Sequence, residues 1–246
     1  MEAIDSELAD KIRVDILSGK YAESERLSEA QLGEVYNVSR TPVRLALRLL
    51  EREGLVTRGN GRGYRVKNPT VEDIMQAVQV KGHLESLAAR LLATQPNREE
   101  VLPHMADAID TTGDLLNLKD LSDPVLYQLQ EANETFHRTI LDSCGNNYVK
   151  HTCAQISQLP MLSIGTMVFD QAVNDIDEQV FRLLLGNAQH KVIYKAIKDG
   201  DPVRAESIMS EHSYAILEYI QTFVRGGDNL TVADLIAYTA GPLGQP

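Results

Sequence analysis

Six histidines stand in the chain, and the spacing of three of them would let them meet. His190 and His212 flank the turn at Gly200-Asp201, each 11 residues from Asp201. At a helical rise both lie ~16 Å from that turn, so an antiparallel pair of helices would bring them to one level. His137 follows Asn133 by four residues, which places both on one helical face. Two imidazoles at one level, with a third from a neighbouring helix, could hold a divalent metal. Spacing alone also allows each histidine to be an ordinary core or surface residue. His83, His104 and His151 lack this spacing and read as structural or exposed.

A second set carries a different chemistry. Ser39-Arg40-Thr41-Pro42-Val43-Arg44 reads as a helix start, with Arg40 and Arg44 one turn apart. An arginine fork grips guanine O6 and N7, or a phosphate, with two hydrogen bonds. Ser39 and Thr41 can bond phosphates at the helix N-terminus. Further on, Arg58-Gly59-Asn60-Gly61-Arg62-Gly63 is a basic, glycine-rich tip whose Arg58 and Arg62 can reach the DNA backbone or minor groove.

These residues need elements to hold them. Leu8, Ile12, Ile16 and Leu17 recur at helical spacing up to Gly19. Ser28 with Gln31 forms a capping box opening a short helix that ends near Tyr36-Asn37. Ser39 caps a second helix with Val43, Ala46, Leu47 and Leu50 on one face, closed by Gly54. Pro42 is tolerated in the first turn. Leu55-Val56-Thr57 and Tyr64-Arg65-Val66 are short strands either side of the tip. A short helix, a turn, a second helix and a basic hairpin together form a winged helix-turn-helix. After the linker Asn68-Pro69-Thr70 the pattern is of long amphipathic helices, near 70–94, 97–118, 122–143, 147–169, 174–199 and 201–225. The expected fold is mainly α: a winged helix-turn-helix domain over 1–68, an all-α helical-bundle domain over 69–225, and a tail over 226–246.

The charge distribution agrees with this division. The 246 residues carry a net −11, yet residues 36–68 hold 8 Lys and Arg against 2 Asp and Glu. That pattern suits a local phosphate-binding face, not a protein that coats nucleic acid everywhere. Two cysteines without metal-type spacing, and an acidic N-terminus lacking an apolar signal region, lead us to expect a cytoplasmic protein with no membrane partner.

The run Leu27-Ser28-Glu29, Val38 to Leu47, Glu53-Gly54-Leu55-Val56 and Gly61 to Val66 resembles the N-terminal domain of GntR-family bacterial regulators. The resemblance implies that Arg40, Arg44 and the wing at Gly61 contact DNA. Ala30 stands where many relatives carry a basic or longer polar residue. The segments Asn133 to His137 and His190 to His212 resemble the ligand-binding domain of the FadR subfamily, called FCD. That resemblance implies a metal held by Asn133, His137, His190 and His212, with Asn133 replacing the commoner Asp. A neutral amide oxygen is a weaker donor than a carboxylate, and zinc, nickel and manganese are not distinguished by this set. Lys81-Gly82-His83-Leu84-Glu85 resembles the family's Arg-x-x-Leu-Glu, which implies Lys81 and Glu85 at an effector site. The stretch from Leu159 to Phe169 faintly resembles vanillate-type repressors of the subfamily.

The reading that follows is a homodimeric regulator, more often a repressor, binding double-stranded DNA at a palindromic operator. A small organic acid effector at the metal site would control it. Ser28, Gln31, Ser39, Arg40, Thr41, Arg44, Arg58, Gly61 and Arg62 form the expected DNA face. Two alternatives stay open at this point. One is a constitutive DNA-binding protein with a structural helical domain. The other is a metalloenzyme in which Glu134 serves as base beside three histidines.

Overall fold

A computed structural model of the chain describes residues 2–59, 63–67, 69–157 and 176–224. Gly61 and Arg62 of the wing tip, the stretch from Leu159 to Phe169, and the tail from Gly226 lie outside them. Among the described residues the chain is mainly helical with one small sheet, and its contacts divide it into two units parting between Ile74 and Met75.

The first unit opens with α1 (Glu2–Leu17), which buries Leu8, Ala9, Ile12 and Ile16. Strand β1 (Arg26–Leu27) leads into α2 (Glu29–Val35). Ser28 caps α2, its hydroxyl accepting from the backbone N–H of Gln31 at 3.2 Å. Asn37 then adopts a left-handed φ of 54°, and the Val38 N–H returns to the Gly33 carbonyl at 2.9 Å. This six-to-one closure stops α2 and turns the chain sharply into α3 (Arg40–Arg52). Ser39 stands at the cap of α3 in extended conformation without a side-chain capping bond. Helix α3 buries Val43, Ala46, Leu47 and Leu50, leaving Arg40, Arg44 and Arg48 exposed on its other side. Gly54, with φ of 75°, ends it by the same closure, Leu55 N–H to the Leu50 carbonyl at 3.0 Å. The Arg13 guanidinium forks onto both oxygens of Glu53 at 2.9 and 2.7 Å, tying α1 to the end of α3.

Strands β2 (Val56–Arg58) and β3 (Tyr64–Val66) pair antiparallel with Val56 opposite Val66. The sheet has a third member, since β1 pairs on the far edge of β3 with Arg26 opposite Arg65. Two residues are too few to show an alternating pattern, so β1 has no signature in the sequence.

The second unit is helical. It contains most of α4 (Val71–Ala93), a 3₁₀ turn (Arg98–Val101), α5 (Leu102–Asn117), α6 (Asp123–Ser143), α7 (Asn147–Ser157), α8 (Ile176–Asp199) and α9 (Pro202–Val224). Its core gathers Leu92, Met105, Phe136, Ile140, Ile193 and Met209 from five helices. Cys144 and Cys153 are buried free thiols. At the α8–α9 turn Gly200 takes φ of 70°, and the Asp201 carboxylate accepts from the Arg204 N–H at 3.0 Å. One helix is stopped and the next started within two residues, which makes α8 and α9 a tight antiparallel pair. No helix among the described residues is long and apolar enough to cross a membrane.

Candidate functional site

The α8–α9 turn brings His190 and His212 to one level, as counting outward from Asp201 requires. Their Nε2 atoms are 3.3 Å apart. Helix α6 supplies His137, whose Nε2 is also 3.3 Å from that of His190. All three are buried, and their ligand atoms lie within 4.8 Å of one another. Zinc–nitrogen bonds of about 2.0–2.1 Å at tetrahedral angles separate two ligand nitrogens by about 3.3–3.4 Å. The donor set and the 3.3 Å spacings therefore fit a divalent ion. Ligand histidines must be neutral, and burial ensures this for two of them. Burial, reinforced by the neighbouring His137, pushes His212 down to about 3 and lowers His190 well below the usual imidazole value.

Each ring is held from outside the cluster. Phe136 stacks on His190 with centroids 4.1 Å apart and planes at 21°. The Gln189 side-chain oxygen lies 2.9 Å from Nδ1 of His212, so Nδ1 carries the proton and Nε2 faces the cluster unprotonated. Glu85, 4% exposed, places Oε1 3.2 Å from Nδ1 of His137, at ion-pair distance but without an aligned hydrogen bond. Lys81 reaches the same oxygen at 2.6 Å. Burial opposes ionisation of Glu85, but the adjoining His137 imidazole and Lys81 ammonium outweigh it and hold the carboxyl well below the usual range. The carboxylate behind a ligand histidine is a common means of fixing its tautomer and orientation.

Three further residues of the expected sites have surroundings that packing determines. Lys81 and Glu85 are paired with each other, and Glu85 sits behind a histidine. Asn133 is one turn before His137 on α6 but is solvent-exposed. The buried carboxylate at the cluster comes from α4, not from α6. Gln189 and Phe136 were not singled out in the sequence, because adjacency to a histidine is no signal without knowing which way the ring turns. His83, His104 and His151 are exposed.

A close helix crossing sets the position of His212. A Cβ added at Gly82 on α4 would lie 2.6 Å from Cβ and Oγ of Ser213, the residue after His212. Gly82→Ala must push α9 away. We expect it to destabilise the protein by about 1–3 kcal/mol and to weaken metal binding, measured by denaturant unfolding and by metal titration. Unchanged metal affinity would show that the crossing does not govern the cluster.

On the first unit, Glu29, Arg44, Arg48, Arg58, Gly63 and Tyr64 line a concavity of about 250 Å³. Arg40, Thr41 and Ser39 are exposed at the start of α3, and Gln31 is exposed on α2. Ser28 is half-buried, its hydroxyl engaged by its own helix. Arg48 was missed in the sequence although it follows Arg44 by one turn. A face with several arginines and helix N-termini is suited to a polyanion.

Residues 4–66 match the model for "Bacterial regulatory proteins, gntR family", and residues 76–215 match the FCD domain. The chain belongs to the GntR family of regulators and carries an FCD domain; it is a DNA-binding transcription regulator and not an enzyme. Among curated relatives it is 23% identical to the uncharacterized HTH-type transcriptional regulator YdhC of Bacillus subtilis (strain 168), over 89% of this chain and 91% of the relative. It is 24% identical to the HTH-type transcriptional repressor GlaR of Escherichia coli (strain K12), over 87% of this chain and 94% of the relative. Among solved structures it is similar to that of Lar, described as controlling the expression of the Listeria monocytogenes agr system, with a TM-score of 0.63 at 17% identity over 89% of this chain and 96% of that one. At that identity the likeness concerns the fold alone.

Proposed function

We propose that this regulator is a homodimeric repressor whose hold on a palindromic operator is controlled by a small carboxylate bound at a metal in the FCD domain. The observation that carries the reading is the convergence of three buried imidazoles, with His190 Nε2 3.3 Å from Nε2 of both His137 and His212. Relatives named as repressors, GlaR among them, support the direction of control.

His137, His190 and His212 would hold the ion through Nε2, with Glu85 and Gln189 orienting two of the rings. When bound, a divalent ion supplies a Lewis-acidic centre for a carboxylate oxygen. As metal ligands the three imidazoles would be neutral, and the Glu85 charge is balanced by Lys81. The protein therefore leaves the ion's charge uncompensated, which favours an anionic ligand. On the other unit, Arg40 and Arg44 would read base edges from the N-terminal half of α3. Ser39 and Thr41 would bond phosphates, while Arg58 and the wing would reach the backbone. A dimer presents this face twice, so protein symmetry maps onto a palindrome. An effector acts only through its different affinity for the DNA-competent and incompetent arrangements.

The test is direct. An operator is selected from random duplexes, and the metal-loaded protein is then titrated with small carboxylic acids. An acid that raises the melting temperature is expected to lower operator affinity by about 5- to 150-fold. If every acid that binds leaves operator affinity unchanged, the control mechanism is wrong.

A further inference from the structure

We propose that Glu29 positions Arg44 for base reading and so sets the sequence specificity of the DNA face; this rests on the reading that Arg44 contacts DNA. The Nε of Arg44 donates to Oε1 of Glu29 at 3.0 Å, from α3 across to the first residue of α2. The acceptor is itself held in place. It follows the Ser28 cap, at a helix N-terminus where a carboxylate is favoured. Arginine has five N–H donors, and using the one at Nε leaves those on Nη1 and Nη2. That free end is the edge that matches guanine O6 and N7. The contact therefore orients the fork without occupying it.

The pair is not there to hold the fold. Its side chains are 50% and 32% exposed, and ion pairs at that exposure add little stability. Nor does it help bulk attraction, since a carboxylate beside Arg44, Arg48 and Arg58 opposes binding to any phosphate. A charge that weakens non-specific binding while fixing an arginine is the arrangement that raises discrimination between sequences. The motif recurs at the wing, where Nε of Arg58 lies 3.2 Å from Oε1 of Glu51.

The experiment uses the full chain. Wild type, Glu29→Ala, Glu29→Gln and Arg44→Ala are each put through selection from random duplexes. Each is then measured on the wild-type selected duplex and on a scrambled duplex of the same composition, across a salt series. Glu29→Ala is expected to bind scrambled DNA more tightly and to lose about tenfold in the selected-to-scrambled ratio. Glu29→Gln keeps an acceptor oxygen and should keep the ratio. All variants should melt with the wild type. An unchanged ratio in Glu29→Ala overturns the proposal, as does equal weakening on both duplexes, or a Glu29→Gln that behaves like Glu29→Ala. If Arg44→Ala selects the wild-type motif undiminished, the reading of Arg44 itself fails. If only Arg44→Ala loses the motif, Glu29 alone is misassigned.

Discussion

Zinc is expected to raise the melting temperature of the wild-type protein, and replacing His190 and His212 together by Ala is expected to abolish that rise. A ligand that binds only the folded state stabilises it by about 2.7 kcal/mol at a hundredfold excess over Kd. The double substitution removes two of three converging nitrogens, leaving His137 alone. One imidazole does not hold a divalent ion at that concentration. The stability of the metal-free variant changes for its own reasons, because two buried rings are lost. The informative quantity is therefore the difference between melts with zinc and with chelator, taken within each variant. A double variant that keeps the zinc-dependent shift would place the site elsewhere. Glu85→Gln gives a graded companion result. It keeps the side-chain size but removes the charge behind His137, and losing such an outer partner weakens metal binding by about 10- to 100-fold.

Arg44→Ala is expected to have the largest effect on DNA. A bidentate arginine–guanine contact contributes about 1–3 kcal/mol of discrimination. In a dimer the substitution acts at both half-sites, so the operator loses about 2–6 kcal/mol, or roughly 30-fold to more than 10⁴-fold in affinity. Scrambled DNA should lose far less, since Arg48 and Arg58 remain on the same face. Binding curves on the two duplexes at fixed salt separate the cases. Equal losses on both would mean that Arg44 meets phosphate and that the bases are read by other residues.

The sequence by itself determined the local architecture of this protein. Caps, glycines and apolar spacing place the ends and the buried face of α3 within a residue or two. The equal distances of His190 and His212 from Asp201 already contain their meeting, because a tight helical hairpin maps sequence distance onto height. Both are short-range relations, and short-range relations leave a period or a count in the chain.

Tertiary structure alone decided the rest. Glu85 comes to His137 from 52 residues away, and β1 comes to β3 across 39 residues from Arg26 to Arg65. Nothing periodic links such positions; they meet because buried helix faces and the sheet edge must be covered. For the same reason the resemblance that implies Lys81 and Glu85 at an effector site does not foretell that packing turns them toward each other and Glu85 toward the histidine cluster. The three imidazoles that opened the sequence reading do converge. What holds them in register — a phenyl ring, an amide and a buried carboxylate — is a property of the packed interior.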